Sequence, residues 1–398
     1  MKMYRNVFLV SLGLFLAGMF LLLAYQGDGA VAQDDMTPTL DAPPPGTRYS
    51  FTTDFSKHNV PYDEIISGGP PKDGIPAIDD PKFVSVEEAD GWIGNREPVI
   101  FLEMNGDARA YPLQILTWHE IVNDEVGGVP VTITFCPLCN TALAFDRRFD
   151  DRVLDFGTTG RLRFSNLIMY DRQTETWWQQ ASGEAIAGEY TGERLEFLPA
   201  PIIAWQTFKE EHPEGLTLSR ETGHARSYGR NPYGGYDNVD TSPFLYDGPV
   251  IDGQLLPKER VLAVEIEGAQ PAAYPYLVLE SVRVVNDEIG DEPVTVFWER
   301  GTASALDTAE IAAGRDVGAA NAFSRRLGDD VLTFRYEDGA ILDDQTDSEW
   351  NILGEAVAGV LEGERLTPLV AQNHLWFSWS VFRPETRVYF PDDWTFED

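Results

Sequence analysis

Eleven residues from Val122 to Thr132 (VNDEVGGVPVT) return 163 positions later, from Val285 to Thr295, as VNDEIGDEPVT. Upstream, Ala110-Tyr111-Pro112 returns at the same offset as Ala273-Tyr274-Pro275. Downstream, Gln173-Thr174 matches Gln345-Thr346, Trp178 matches Trp350, and Gly183-Glu184-Ala185 matches Gly354-Glu355-Ala356. Gly192-Glu193-Arg194-Leu195 then matches Gly363-Glu364-Arg365-Leu366, Trp205 falls opposite Trp376, and Pro213-Glu214 opposite Pro384-Glu385. Motifs kept in one order over such a span predict an internal duplication, so the fold has to build one unit twice.

Each unit reads as mostly strand. Val99–Met104, Val129–Phe135, Thr141–Phe145 and Val153–Phe156 are short runs rich in β-branched and aromatic residues, divided by turn signals. Val261–Ile266, Val294–Trp298 and Val331–Tyr336 are their copies. Helical patches are few: Leu113–His119, and Ile203–Glu211, which Pro213 stops. The expected fold class is therefore α+β and β-rich, with two tandem pseudo-equivalent units. The expected boundaries are 61–230 for the first unit, 231–257 for a Gly/Tyr/Pro connector, and 258–390 for the second, degenerate unit.

The N-terminus reads as an export signal. Lys2 and Arg5 precede an apolar run from Val7 to Ala24, and Ala30-Val31-Ala32 offers a small-x-small cleavage site. Residues 1–32 are expected to be a signal peptide, with an uncleaved N-terminal anchor as the alternative. Residues 33–60 follow as an acidic, Pro-rich linker. The body of the protein is thus expected to be extracytoplasmic, with membrane contact only through such an anchor. Lys and Arg total 30 against 65 Asp and Glu, a net charge of −35. A surface of that sign repels phosphate backbones and argues against nucleic acid as a partner. An extracytoplasmic protein or a small ligand is the partner class left open. No Gly-rich phosphate loop is present, so no nucleotide cofactor is expected.

Chemistry concentrates at the only two cysteines, Cys136 and Cys139, in Phe135-Cys136-Pro137-Leu138-Cys139-Asn140. If Gly127 and Gly128 are the central residues of a tight hairpin, cross-strand partners sum to 255. Val122 then pairs with Ile133, Val126 with Val129, and His119 falls opposite Cys136. That last pairing requires His119 in the strand rather than at the helix end. The second unit carries Val282, Glu299 and Thr302 at the positions of His119, Cys136 and Cys139. The candidate chemistry is therefore present once.

Three readings of the pair stay open. Cys136, Cys139 and His119 form a Cys2His donor set suited to one copper or zinc ion, with Met169 as a soft fourth donor. Three protein donors and an open position suit a transport or catalytic metal better than a structural one, and copper is the preferred ion. Alternatively, Cys136 is the nucleophile and Cys139 the resolving thiol of a thiol-disulfide oxidoreductase. A non-enzymatic binding module with a structural disulfide is the third reading. His224, Arg226 and Arg230, with Tyr233 and Tyr236, could line an anion pocket or be stacked turn residues.

Trp118 to Asp124 (WHEIVND), Thr134 to Arg147 (TFCPLCNTALAFDR), Met169 to Thr174 (MYDRQT), Trp178-Gln179-Gln180 and Gly183-Glu184-Ala185 together resemble the bacterial and archaeal domain-of-unknown-function 3179 family. The resemblance covers about residues 55–240. It implies an exported protein and no established activity. The family tends to have Gly after the second Cys, where this chain has Asn140.

Overall fold

The computed structural model describes residues 42–392 and 394–395. The expected signal or anchor, and the first part of the linker, lie outside the described residues. Among the described residues strands dominate, and the longest helices run to seven residues: Leu113–His119, Trp205–Glu211 and Tyr276–Val282. No helix among the described residues is long and apolar enough to cross a membrane.

Three sheets carry the N-terminal half. One orders Phe197–Leu198, Thr141–Asp146, Val129–Cys136 and Ile121–Val126. A second orders Ile202–Ala204, Pro98–Met104, Asp107–Pro112, Leu216–Leu218 and Phe83–Ser85. The third runs Ile65–Ser67, Phe156–Arg163, Asn166–Asp171, Trp177–Gln179 and Glu184–Ala187. The C-terminal half has the corresponding hairpin, Val284–Ile289 with Glu292–Glu299, which pairs with Ala319–Ser324 as Val129–Cys136 pairs with Thr141–Asp146.

The Gly-Gly hairpin forms with the predicted register. Ile121 pairs with Thr134, Val122 with Ile133 and Val126 with Val129. Gly127 and Gly128 take φ 54° and 81°, the left-handed pair of a two-residue turn. A Cβ on Gly127 would stand 2.0 Å from the Met104 carbonyl oxygen, so only glycine fits there. The ladder does not extend to a His119–Cys136 pair. The helix Leu113–His119 ends on Glu120 at φ 59°, which turns the chain before the strand begins at Ile121. The Val153–Phe156 run also divides differently, into Arg152–Val153 and Phe156–Arg163, with Leu154 and Asp155 between them. Asp155 pairs there with Arg147.

Buried polar contacts recur at the repeated positions. The Asn123 side chain donates to Phe156 O (2.8 Å) and accepts from Phe156 N (3.0 Å). The Asn286 side chain does the same with Phe334, at 2.7 and 2.9 Å. Tyr111 donates to Asp124 (2.6 Å) and Tyr274 to Asp287 (2.8 Å). Asp171 accepts from Thr174 and the Trp178 indole, as Asp343 does from Thr346 and Trp350. An amide that completes both hydrogen bonds of a buried strand residue satisfies groups that would otherwise be costly to bury.

Candidate functional site

Between two strands, the turn Cys136-Pro137-Leu138-Cys139 is closed by Cys139 N donating to Cys136 O (3.1 Å) and Asn140 N to Pro137 O (3.3 Å). Asn140 leaves it at φ 51°, a left-handed conformation that Asn tolerates better than most residues. Both cysteines are free thiols, 3% and 0% exposed. They point at one acceptor, the Ser165 carbonyl, 3.7 Å from Cys136 Sγ and 3.5 Å from Cys139 Sγ. Ser165 and Phe164 form the tip of the hairpin Phe156–Arg163/Asn166–Asp171, and both have positive φ, 66° and 53°. Backbone in that region is strained for residues other than glycine, and such strain collects at functional sites.

Burial pushes the Cys136 thiol well up, and the neighbouring thiol of Cys139 and the Glu120 carboxyl push the same way. Glu120 was not among the sequence candidates. It is 8% exposed, and burial alone pushes its carboxyl up to about 8. A carboxylate at the C-terminal end of a helix opposes the helix dipole, and that mismatch was the signal available in the sequence. Met169 shares the apolar cluster that holds both thiols, along with Leu138, Leu143, Trp178, Leu375 and Phe377. Leu375 and Phe377 come from the C-terminal half, and Leu375 N donates to Cys139 O (2.8 Å). Part of the wall around the thiols is thus built by the C-terminal half of the chain.

The connector covers the rest. Tyr236 donates to Leu138 O in the cysteine turn (2.9 Å), and Tyr233 and Tyr236 pack on the thiol cluster. Burial raises both phenols, and the charge a thiolate would carry raises them further. Lys258 lies over the Tyr236 ring at 4.8 Å and donates to Tyr236 O (2.5 Å). Asp237, 1% exposed, is held by Arg260 (2.6 Å) and Arg315 (3.0 Å). Arg230 pairs with Glu310 (3.0 Å).

His119 is committed elsewhere. Its Nδ1 lies 2.7 Å from Pro76 O and its Nε2 2.7 Å from the Tyr228 hydroxyl, with the His224 ring 5.4 Å away. Burial lowers its pKa to about 4, so the ring is neutral near pH 7. No group of three or more His, Cys, Asp or Glu side chains among the described residues is arranged to hold a metal ion. The two thiols are brought together, and Met169 lies in the same apolar cluster; His119 does not complete a Cys2His set with them. The arrangement offers two soft donors and a carbonyl dipole whose negative end faces the thiols. Such a site disfavours isolated thiolates and favours a soft cation.

A family model described as a protein of unknown function (DUF3179) matches residues 72–386. No curated protein and no solved structure matches the chain.

Proposed function

The chain belongs to the DUF3179 family, and from that premise we propose that it is an exported protein that binds one copper(I) ion between Cys136 and Cys139, with Met169 as a third donor. The observation that carries this reading is the convergence of two free, buried thiols on the single carbonyl of Ser165. Copper(I) is satisfied by two or three soft donors, and thiolate and thioether are its preferred ones. Zinc asks for four ligands in structural sites and for three protein ligands in catalytic ones. Two sulfurs and a thioether therefore fit copper(I) better. Binding releases both thiol protons, and the apolar walls suit a complex whose net charge is small.

The oxidoreductase reading is less favoured. An attacking thiol has to be exposed and substantially ionised, whereas Cys136 is buried and its thiol is pushed up. Internal duplication is part of the proposal. It accounts for the paired Asn123/Asn286 and Asp171/Asp343 hydrogen-bond sets, and leaves 258–390 as a scaffold unit that walls the thiols. Export rests on the N-terminal pattern alone.

The deciding experiment titrates the reduced full chain with copper(I) in competition with a coloured copper(I) chelator, beside Cys136→Ser and Cys139→Ser. One ion per chain, lost in either variant, is the expected result. Absence of copper uptake, together with a rapidly cycling Cys136–Cys139 disulfide, would transfer the site to the oxidoreductase reading. Uptake unchanged in both variants would remove the thiols from metal binding altogether.

A further inference from the structure

A cleft of about 410 Å³ is lined by residues of both halves. Phe101 and Leu198 come from the N-terminal half, and Phe323, Leu353 and Leu369 from the C-terminal half. The volume falls in the range of small-molecule sites, and the walls are mainly apolar, as such sites are.

Two further features select a ligand. His212 lines the cleft, its ring stacked on Phe101 at 4.7 Å and tilted against Phe208 at 5.7 Å. Its Nε2 is buried and has no hydrogen-bond partner among the described residues. A polar atom left this way in an apolar wall costs stability unless a ligand or water reaches it. The ring is neutral near pH 7, since burial lowers its pKa. The other feature is the polar rim. Arg365 pairs with both Glu103 (3.3 Å) and Glu355 (2.9 Å), so the three side chains together carry one excess negative charge. Anions are repelled there, and the guanidinium is already spoken for.

We propose that this cleft binds a neutral, mainly apolar small molecule through one hydroxyl, a phenol being the best match, with the hydroxyl on His212 Nε2 and the apolar body between Phe101 and Phe323. A hydroxyl both donates and accepts, so it satisfies either tautomer of a neutral imidazole. The inference is independent of copper, because no residue of the thiol site lines the cleft.

The test is calorimetric titration of the full chain with 4-hexylphenol and with 4-hexylbenzoate, supported by thermal shift. The phenol is expected to bind one-to-one and raise Tm, and the benzoate to bind at least tenfold more weakly. His212→Phe keeps the stacking and removes the nitrogen; it should weaken the phenol about tenfold, as the loss of one hydrogen bond does. Leu369→Trp fills the cleft and should abolish binding even if His212→Phe fails to fold. Failure of the phenol to bind up to its solubility limit would overturn the proposal. Equal binding of the benzoate, or undiminished binding in Leu369→Trp, would do the same.

Discussion

The hairpin that ends at Cys136 and the hairpin that ends at Glu299 share their register and their buried amide contacts, yet one closes around two thiols and the other opens to water. Where the first has Glu120, Phe135, Cys136 and Cys139, the second has Arg283, Trp298, Glu299 and Thr302. The left-handed helix end survives the exchange, at φ 59° for Glu120 and 67° for Arg283. That backbone turn is therefore common to both halves, and the side chain it delivers differs. Arg283 lies on the Trp298 ring at 4.3 Å, beside an open cleft of about 660 Å³ that also takes in Tyr336 and Glu299. Hairpin length explains the opening. Fifteen residue steps separate Phe156 from Asp171, against nine between Phe334 and Asp343. Only the longer hairpin reaches far enough to place a carbonyl, that of Ser165, on the thiol pair.

The strongest way to break this comparison is to exchange the donors. Cys136→Ser combined with Cys139→Thr should lower copper(I) affinity by at least about a hundredfold while leaving circular dichroism unchanged. The reverse exchange, Glu299→Cys with Thr302→Cys, should not create a site of matching affinity, because no carbonyl tip covers that cleft. Competition titration of both double variants reads the outcome. Equal affinity in the reverse variant would show that two cysteines on any such hairpin suffice, and that closure contributes nothing.

Glu120 comes next. Its carboxyl has a folded pKa of about 8 against an ordinary value of 4.5. A carboxyl whose pKa is raised on folding favours the folded state fully below 4.5, and that advantage is lost as pH rises towards 8. Glu120→Gln removes the titration. Relative to the parent, the variant should gain stability between pH 5 and pH 8, by an amount approaching about 3 kcal/mol if no rearrangement hydrates the carboxyl. Urea unfolding of the metal-free chain at the two pH values measures it. Arg283→Gln, at the corresponding position, should show no such gain; an equal gain there would mean the effect belongs to the helix end rather than to the thiol site.

What could be read in the sequence follows from the range over which each interaction acts. The hairpin register was legible because two glycines and strict alternation confine it within sixteen residues, from Ile121 to Cys136. The helix Leu113–His119 was equally local. Pairing His119 with Cys136 carried the strand register through a residue the helix had already claimed. The Glu120 carboxyl lies close enough to Tyr233, more than a hundred positions later, to raise its phenol, and no local pattern encodes that. Ser165 acts through its carbonyl, which every residue has, so its place at the thiols was invisible without the fold.

A smaller effect tests the shared scaffold. Asn123→Ala leaves both Phe156 backbone groups without partners in a buried setting and should cost about 2–3 kcal/mol. Asn286→Ala does the same to Phe334 in a more exposed place and should cost about 1–2 kcal/mol. Urea midpoints at matched pH give the ratio. A cost confined to Asn123 would mean that the second copy of the contact is ornamental and the scaffold is not held in the same way twice.

The smallest expected effect lies in the cysteine turn itself. Asn140, the residue before the strand Thr141–Asp146, is left-handed at φ 51°, and Gly318, the residue before Ala319–Ser324, is left-handed at 74°. The same left-handed exit is thus made by asparagine in one half and by glycine in the other. Asn140→Gly should change stability by less than about 1 kcal/mol, since relief of the left-handed strain is partly offset by the greater freedom of glycine in the unfolded chain. Asn140→Ala should instead destabilise by about 1 kcal/mol, because a Cβ without a local hydrogen-bonding group resists that conformation. Unfolding midpoints of the two variants decide between a strained turn and a pliable one. If alanine costs nothing, the turn has relaxed out of the left-handed conformation, and copper(I) affinity measured on the same variant then reports whether the thiols needed the left-handed exit at all.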